Sequence, residues 1–331
     1  MERRTLTQIE LEFVPAATRP ARPPRPGRTG RRAGRGICFC SLASSSTHGN
    51  AYLVAVAGGG RGGPALLVDC GAPLRRLEAA LAERGVDAGR VAGLLLTHRH
   101  GDHTRAMRLR HPLPQRHGFP VFAPAGVWAE ADGEFGPIEP ALRQVIAPFA
   151  PFRVGPFRVT AFAKPHDARD AVGFIIEAAG ERLAVVTDLG TVDDGLVKLL
   201  RGAHHLIFES NHDPELERRS GRPHYLIERI LGDRGHLSNE QAGAALARIV
   251  GRSTRAVLLA HLSIDCNLPQ LALRAVARHL QAANFAGVLA VAPPAGPSPW
   301  YPGDERGARR GADGEVGIGA GNGAGGGARR G

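Results

Sequence analysis

Short apolar runs of four to six residues, separated by Gly, Pro and charged positions, dominate the first half of the chain. Ala51–Val56, Ala65–Val68, Val91–Leu96, Phe157–Phe162, Gly173–Glu177 and Leu183–Val186 have the length and the Val/Leu/Phe content of strands. The stretch Gly58-Gly59-Gly60-Arg61-Gly62-Gly63 suits a hairpin connection between the first two. Leu74–Arg84 has helical spacing and stops at Gly85. Later in the chain the apolar period lengthens to that of helices, at about Asp193–Leu200, Asn239–Val250 and Pro269–Ala283. Ser238 and Gln241 form a capping-box pattern for the middle one. Val257–Ala260 reads as one more buried strand, ending at His261. Mixed strands followed by helices predict sheets with helices outside, a layered α/β domain over residues 37–292.

The two ends break this pattern. Residues 1–36 are Arg/Pro-rich and cannot bury enough apolar surface to fold, so a disordered arm is expected. Residues 293–331 are Pro-rich and then Gly/Ala-rich, and a second disordered tail is expected there. The ends also change what the net charge of +11 means. Residues 1–36 carry nine Arg and three Glu, and residues 293–331 five Arg against four acids, which leaves +4 on the body between them. That is well short of a surface built to coat DNA, although it permits phosphate binding.

Four cysteines, Cys38, Cys40, Cys70 and Cys266, do not make a disulfide framework in 331 residues. Cys38-Phe39-Cys40 suits a strand with both thiols on one face better than a metal pair. No apolar run approaches the roughly 20 residues needed to span a membrane. The N-terminus lacks the apolar segment of a signal peptide. A reducing cytoplasm is the expected location.

The chemistry gathers after the run Val91–Leu96, in Thr97-His98-Arg99-His100-Gly101-Asp102-His103. His98 and His100 alternate by two, so on extended backbone their side chains point the same way. Asp102 and His103 follow where a turn can aim them back. Four ligand-type residues within six positions at a strand end are costly unless a cation neutralises them, and imidazole and carboxylate are the ligands Zn²⁺ and related ions favour.

The motif H-x-H-x-D-H after a hydrophobic strand resembles the signature of the metallo-β-lactamase superfamily. That resemblance implies an αββα sandwich, two mixed sheets flanked by helices, with a dinuclear metal site at one edge. It also implies later ligands in order, and His166, Asp188 and His261 each follow an apolar run. By the same resemblance His98, His100 and His166 hold one ion, Asp102, His103 and His261 the other, and Asp188 bridges them. Asp69, in Leu67-Val68-Asp69-Cys70-Gly71, matches the early Asp that supports the metal loop. Two ions so placed imply an activated water and a polarised carbonyl or phosphoryl oxygen, hence hydrolysis. The native ion is left open among Zn²⁺, Mn²⁺ and Fe.

Asp188 stands where antibiotic-cleaving members lack a bridging Asp, and Thr104-Arg105 replaces the Gly pair of glyoxalase-type thioesterases. Only 73 positions separate Asp188 from His261, too few for a β-CASP insertion. Ser41-Leu42-Ala43-Ser44-Ser45-Ser46 with Gly49-Asn50, Pro165-His166-Asp167-Ala168, Glu209-Ser210-Asn211-His212-Asp213 and Arg234-Gly235-His236-Leu237-Ser238-Asn239 resemble the YycJ/WalJ-type bacterial proteins. That group implies 5′-to-3′ exonuclease action on DNA and a place in DNA repair. Asp265-Cys266-Asn267 departs from the acidic-Asn-Asn ending of the group.

A nuclease needs phosphate donors and an acid for the leaving oxygen. Ser44, Ser45, Ser46 and Asn50 offer donors if they form a Gly-containing loop; a plain Ser-rich turn is the other reading. His212 and His236 are acid candidates, with Asn211 and Asp213 to orient them and Asp167 beside His166; a structural role for each histidine is equally open. Hydrolysis of small esters, thioesters or cyclic phosphodiesters is the alternative activity. A non-catalytic regulator predicts eroded ligands, and none is missing.

Overall fold

The structure, a computed structural model, describes residues 36–57 and 63–302. Six strands form the first sheet in chain order: β1 (Ile37–Ser45), β2 (Gly49–Val56), β3 (Ala65–Val68), β4 (Val91–Leu95), β5 (Val121–Pro124) and β6 (Arg143–Ile146). The first three run antiparallel, and β3 to β6 run parallel. Helices α1 (Leu74–Glu83), α2 (Gly101–Thr104), α3 (Leu113–His117) and α4 (Ala125–Glu130) lie in the connections.

The second sheet repeats the scheme. β7 (Phe152–Val154), β8 (Phe157–Ala163), β9 (Val172–Ala178) and β10 (Glu181–Val186) form an antiparallel meander. β11 (His205–Glu209), β12 (Ala256–Ala260) and β13 (Val288–Val291) then add in parallel beyond β10. Helices α5 (Asp194–Leu200), α6 (Pro214–Arg218), α7 (His224–Leu231), α8 (Asn239–Ile249) and α9 (Pro269–Ala282) belong to this half.

Alternation along each strand sets the layers. Tyr52, Val54, Leu66 and Val68 enter the core between the sheets, where Val185, Ile207 and Leu258 meet them. Their neighbours Leu53 and Leu67 face outward onto Leu77 and Leu81 of α1. On the far side Val186, Leu206 and Leu259 pack on Leu196, Leu246 and Val276 of α5, α8 and α9. Strands apolar on both faces are what a four-layer αββα sandwich requires. Parallel strands in both sheets send their carboxyl ends to one edge, where ligands bind in such folds.

Three features depart from the sequence pattern. β1 runs on through Ser45, so Ser44 and Ser45 lie in a strand rather than a loop. Residues 293–302, expected in the disordered tail, run along β1: Phe39 and Tyr301 exchange backbone bonds of 2.8 and 2.7 Å, and Ser298 N–H donates to the Ser41 carbonyl at 2.9 Å. The physical reason is the unpaired backbone of an edge strand, which this strap satisfies. The third is a set of short strands that the pattern did not announce: β5, β6, β7 and β13, and the five-residue β11 between α5 and α6. The Gly-rich hairpin connection, the arm and the tail beyond Pro302 lie outside the described residues. Among the described residues no helix is long and apolar enough to cross a membrane.

Candidate metal centre

Every contributor to the centre lies at or just past the end of a strand. Asp69 follows β3, Thr97 to His103 follow β4, His166 follows β8, Asp188 follows β10, Glu209 ends β11 and His261 follows β12. Asp69, Asp188 and His261 all adopt left-handed backbone, with φ of 58°, 55° and 57°. That region costs a typical L-residue about 1–2 kcal/mol, least for short polar side chains such as Asp. Such strain persists where the surroundings over-determine it, as at a functional site.

Asp69 organises the loop from Thr97 to His103. Its buried carboxylate accepts the Thr97 N–H at 2.9 Å, the Thr97 hydroxyl at 2.8 Å and Nδ1 of His103 at 2.7 Å. The loop is pressed against Cys70-Gly71: Cys70 N–H donates to the His103 carbonyl at 2.8 Å, and a Cβ on Gly71 would lie 1.5 Å from the Asp102 carbonyl oxygen.

The expected ligands fall into two groups, and a third set, Asp188, Glu209, His236 and His261, also brings its ligand atoms within 4.8 Å of one another. Nε2 of His98 lies 3.0 Å from Nδ1 of His100, which lies 3.3 Å from Nε2 of His166; Asp188 Oδ1 stands 3.9 Å from His98 and 3.8 Å from His166. In the second group, His103 Nε2 is 3.4 Å from Asp102 Oδ2 and 3.2 Å from Asp188 Oδ2, while His261 Nε2 is 3.3 Å from Asp102 Oδ2 and 3.6 Å from Asp188 Oδ1. Ligands about 2.1 Å from a shared ion in a tetrahedron are roughly 3.4 Å from one another, so both groups fit a divalent cation. Asp188 reaches both, and its buried Oδ2 has no hydrogen-bond partner.

The electrostatics suit a cation. Burial keeps His98 well below an ordinary imidazole, lowers His100 and takes His166 to about 3, so their lone pairs stay available. For His261 burial acts the same way, but Asp188, Asp102 and Glu209 outweigh it and push the ring up to about 10. For Asp188 burial favours the neutral acid, and His103, His261 and Lys164 overcome it and hold the carboxyl ionised.

Glu209, which closes β11, is the hub behind these side chains. Its wholly buried carboxylate accepts Nδ1 of His236 at 2.8 Å, Nδ1 of His261 at 2.9 Å, and the N–H groups of Asp188, Leu189 and Leu237 at 3.2, 2.8 and 3.1 Å. Burial opposes its charge, but His236 and His261 prevail and bring it to about 2. Lys164, one of two lysines in the chain, was equally unforeseen: its buried ammonium donates to the carbonyls of Thr187 and Asp188 at 2.5 and 3.0 Å, fixing the turn that presents Asp188.

The expected substrate and acid residues separate. His236 lines a cavity of about 200 Å³ with His100, Asp102, His166, Asp188 and His261, its Nδ1 tied to Glu209. His212 does not line it; its ring is 1% exposed, and neither nitrogen has a partner. Its backbone, bridged to Ser238 with its carbonyl bound by Asn239, is the reason it is held inside. Asn211 serves His261 instead of His212, donating to its carbonyl at 2.7 Å. Asp213 caps α6 through the N–H groups of Glu215 and Leu216.

Ser44 and Ser45 are wholly buried, with Ser44 Oγ accepting the His261 N–H at 2.8 Å, so neither reaches a phosphate. Asn50 is buried too, its amide 3.3 Å from Asp102 Oδ2 and 3.1 Å from His103 Nε2. Of the four only Ser46 is exposed and lines the cavity. Asp167 lies beside His166, Oδ1 3.3 Å from its Nε2, with Oδ2 bound by Arg229.

The sequence pattern of the β-lactamase superfamily domain matches residues 65–262. The exodeoxyribonuclease YycJ of Bacillus anthracis is 32% identical over 250 residues, 76% of this chain and 91% of that protein. The exodeoxyribonuclease WalJ of Streptococcus pneumoniae strain D39 is 26% identical over 74% of this chain and 89% of its own. Among solved structures, the metallo-β-lactamase fold protein YhfI of Bacillus subtilis superposes with a TM-score of 0.58 at 17% identity, covering 80% of this chain and 99% of its own. Zn²⁺-bound PqqB of Methylobacterium extorquens gives 0.59 at 20% identity, over 79% and 99%. The chain belongs to the metallo-β-lactamase superfamily, in its YycJ-like branch, and is a metal-dependent hydrolase.

Proposed function

We propose that the protein is a dinuclear-metal phosphodiesterase that shortens DNA from the 5′ end. The observation that carries this reading is His236, held by Glu209 at 2.8 Å beside both ligand groups. Cutting a phosphodiester in DNA expels a sugar alkoxide, a poor leaving group that needs a proton as the bond breaks. A thioester expels a thiolate, which does not. With Nδ1 committed to Glu209, the ring is held in one orientation, and Nε2 is the nitrogen left to serve the cavity that His236 lines. The exodeoxyribonuclease names of the YycJ and WalJ relatives supply the substrate class.

His98, His100 and His166 would hold one divalent ion, Asp102, His103 and His261 the other, with Asp188 shared. When bound, such a pair, Zn²⁺ or Mn²⁺ on this His/Asp set with Fe also admissible, supplies the acidity that makes hydroxide from water and takes up the developing phosphoryl charge. The chain's own part is to orient and to move a proton. Asp69 fixes the tautomer of His103 through Nδ1, and Glu209 does the same for His261. Arg229 brings positive charge to the cavity wall.

A second reading, hydrolysis of small esters, thioesters or cyclic phosphodiesters, is favoured by the cavity of about 200 Å³ and the +4 body. Metal-loaded protein incubated with 5′-labelled and 3′-labelled duplex DNA separates the two, with Asp102→Ala/His103→Ala as control. Shortening from the 5′ end, absent in the control, is expected. Intact DNA with hydrolysis of a small diester or thioester establishes the second reading.

A further inference from the structure

The cavity has two unlike walls. One is made of metal-ligand side chains and His236; the other is α7, which contributes Leu226, Arg229 and Ile230. No residue of α7 is buried, although the helix is amphipathic. Leu226 and Ile230, four apart, share one helix face and turn it to the cavity instead of the core.

An eight-residue helix is not stable by itself in water, so α7 stands where its attachments hold it. Before it, the Arg222 guanidinium grips the buried Glu217 carboxylate at 3.0 and 2.9 Å and reaches Asp265 at 2.9 Å. Within it, Arg229 pairs with Asp167. After it, His236 N–H donates to the Ile230 carbonyl at 2.9 Å, and Arg234 donates to the His166 carbonyl at 3.0 Å. Gly235 packs so tightly beneath the helix end that a Cβ would lie 2.2 Å from the carbonyl oxygens of Arg229 and Ile230. The wall is thus tied to the same segment that carries His236 and His166.

At about 200 Å³ the cavity is smaller than the roughly 300–1,000 Å³ of sites that enclose a drug-sized ligand. That volume holds a phosphate with part of one nucleotide, and the apolar face of α7 carrying Leu226 and Ile230 is one of the walls around it. We infer that α7 is an end stop: Leu226 and Ile230 close the cavity behind the terminal nucleotide, Arg229 faces its phosphate, and cleavage is confined to strand ends. This rests on the DNA-exonuclease reading above and adds what makes the enzyme an exonuclease rather than an endonuclease.

The test compares linear single-stranded DNA with a covalently closed circle of the same sequence, using metal-loaded protein, with bis(p-nitrophenyl) phosphate as a small diester that has no strand to pass. The native protein is expected to digest the linear strand and leave the circle intact, by a factor of about a hundred or more. Leu226→Ala/Ile230→Ala keeps a strong helix former at both positions and is expected to raise the rate of circle nicking, taken relative to each protein's own small-diester rate, at least roughly tenfold over the native protein. If the double variant loses small-diester hydrolysis, the single variants Leu226→Ala and Ile230→Ala are expected to show the same change in smaller measure. Circles cut as fast as linear DNA by the native protein, or variants that hydrolyse the small diester yet still require an end, overturn the inference alone. Small-diester hydrolysis with neither DNA cut by the native protein overturns the exonuclease reading and the inference with it.

Discussion

Nδ1 of His236 lies 2.8 Å from Oε1 of Glu209, and the same oxygen receives Nδ1 of His261 at 2.9 Å. One carboxylate therefore orients both the proposed proton donor and a proposed metal ligand. Glu209→Gln replaces one oxygen by an amide that cannot accept, leaving at least one of the five donors around it without a partner. Metal affinity is expected to fall by about 10–100-fold, read by competition with a chelating dye. Unchanged affinity would show that the carboxylate is dispensable to His261.

His236→Ala separates the proton donor from the ligands. Metal content should be retained, while kcat on DNA falls by about 10²–10⁴-fold. The loss should shrink for bis(p-nitrophenyl) phosphate, whose leaving group needs no proton. An equal loss on both substrates would refute the leaving-group role, and loss of metal would move His236 among the ligands.

Gly71 is the contact on which the metal loop rests. Gly71→Ala places a methyl carbon 1.5 Å from the Asp102 carbonyl, a clash with backbone that no side-chain rotation relieves. The loop must shift, and ligand geometry tolerates shifts of only about 0.5 Å. Metal content and activity should both fall steeply while the far-UV spectrum of the sandwich persists. Full metal loading of the variant would mean that the loop is not fixed there.

Stability of the metal-free chain should fall with acid in a defined window. Burial takes His212 from 6.5 to about 4. The unfolded chain binds this proton first as pH drops, so stability is lost between pH 6.5 and 4, by roughly 3 kcal/mol. Glu209, at about 2 against 4.5 unfolded, removes more between pH 4.5 and 2. His212→Leu should make the upper limb shallower, with buried His98, His100 and His166 still contributing, when urea midpoints are compared at several pH values in chelator. Parallel slopes for the two proteins would show that His212 does not titrate this way.

The proposed metal ligands could be picked out of the sequence because they follow apolar runs, and four of them fall within six positions, His98 to His103. Glu209 also closes a run, Leu206–Phe208, but His204-His205 in front of it hides so short a strand. Ser44 shows the limit of local pattern most plainly. A hydroxyl in a strand looks like one in a loop, and what settles its role is a bond to His261, 217 positions away. His212 and His236 are alike in type and in polar context; only the fold puts one at the cavity and the other inside. The strap over β1 was missed for a related reason: its Pro-rich composition suggested disorder, while its order comes from bonds to an edge strand far away in sequence, 257 positions between Ser41 and Ser298.

The most direct measurement titrates the metal-free protein with Mn²⁺ or Zn²⁺ while following nucleotide release from end-labelled DNA, with Asp188→Ala in parallel. Turnover should rise to its plateau at two equivalents per chain and be absent from the variant. Full turnover at one equivalent, or any turnover in chelator, would contradict a centre built from two ions sharing Asp188.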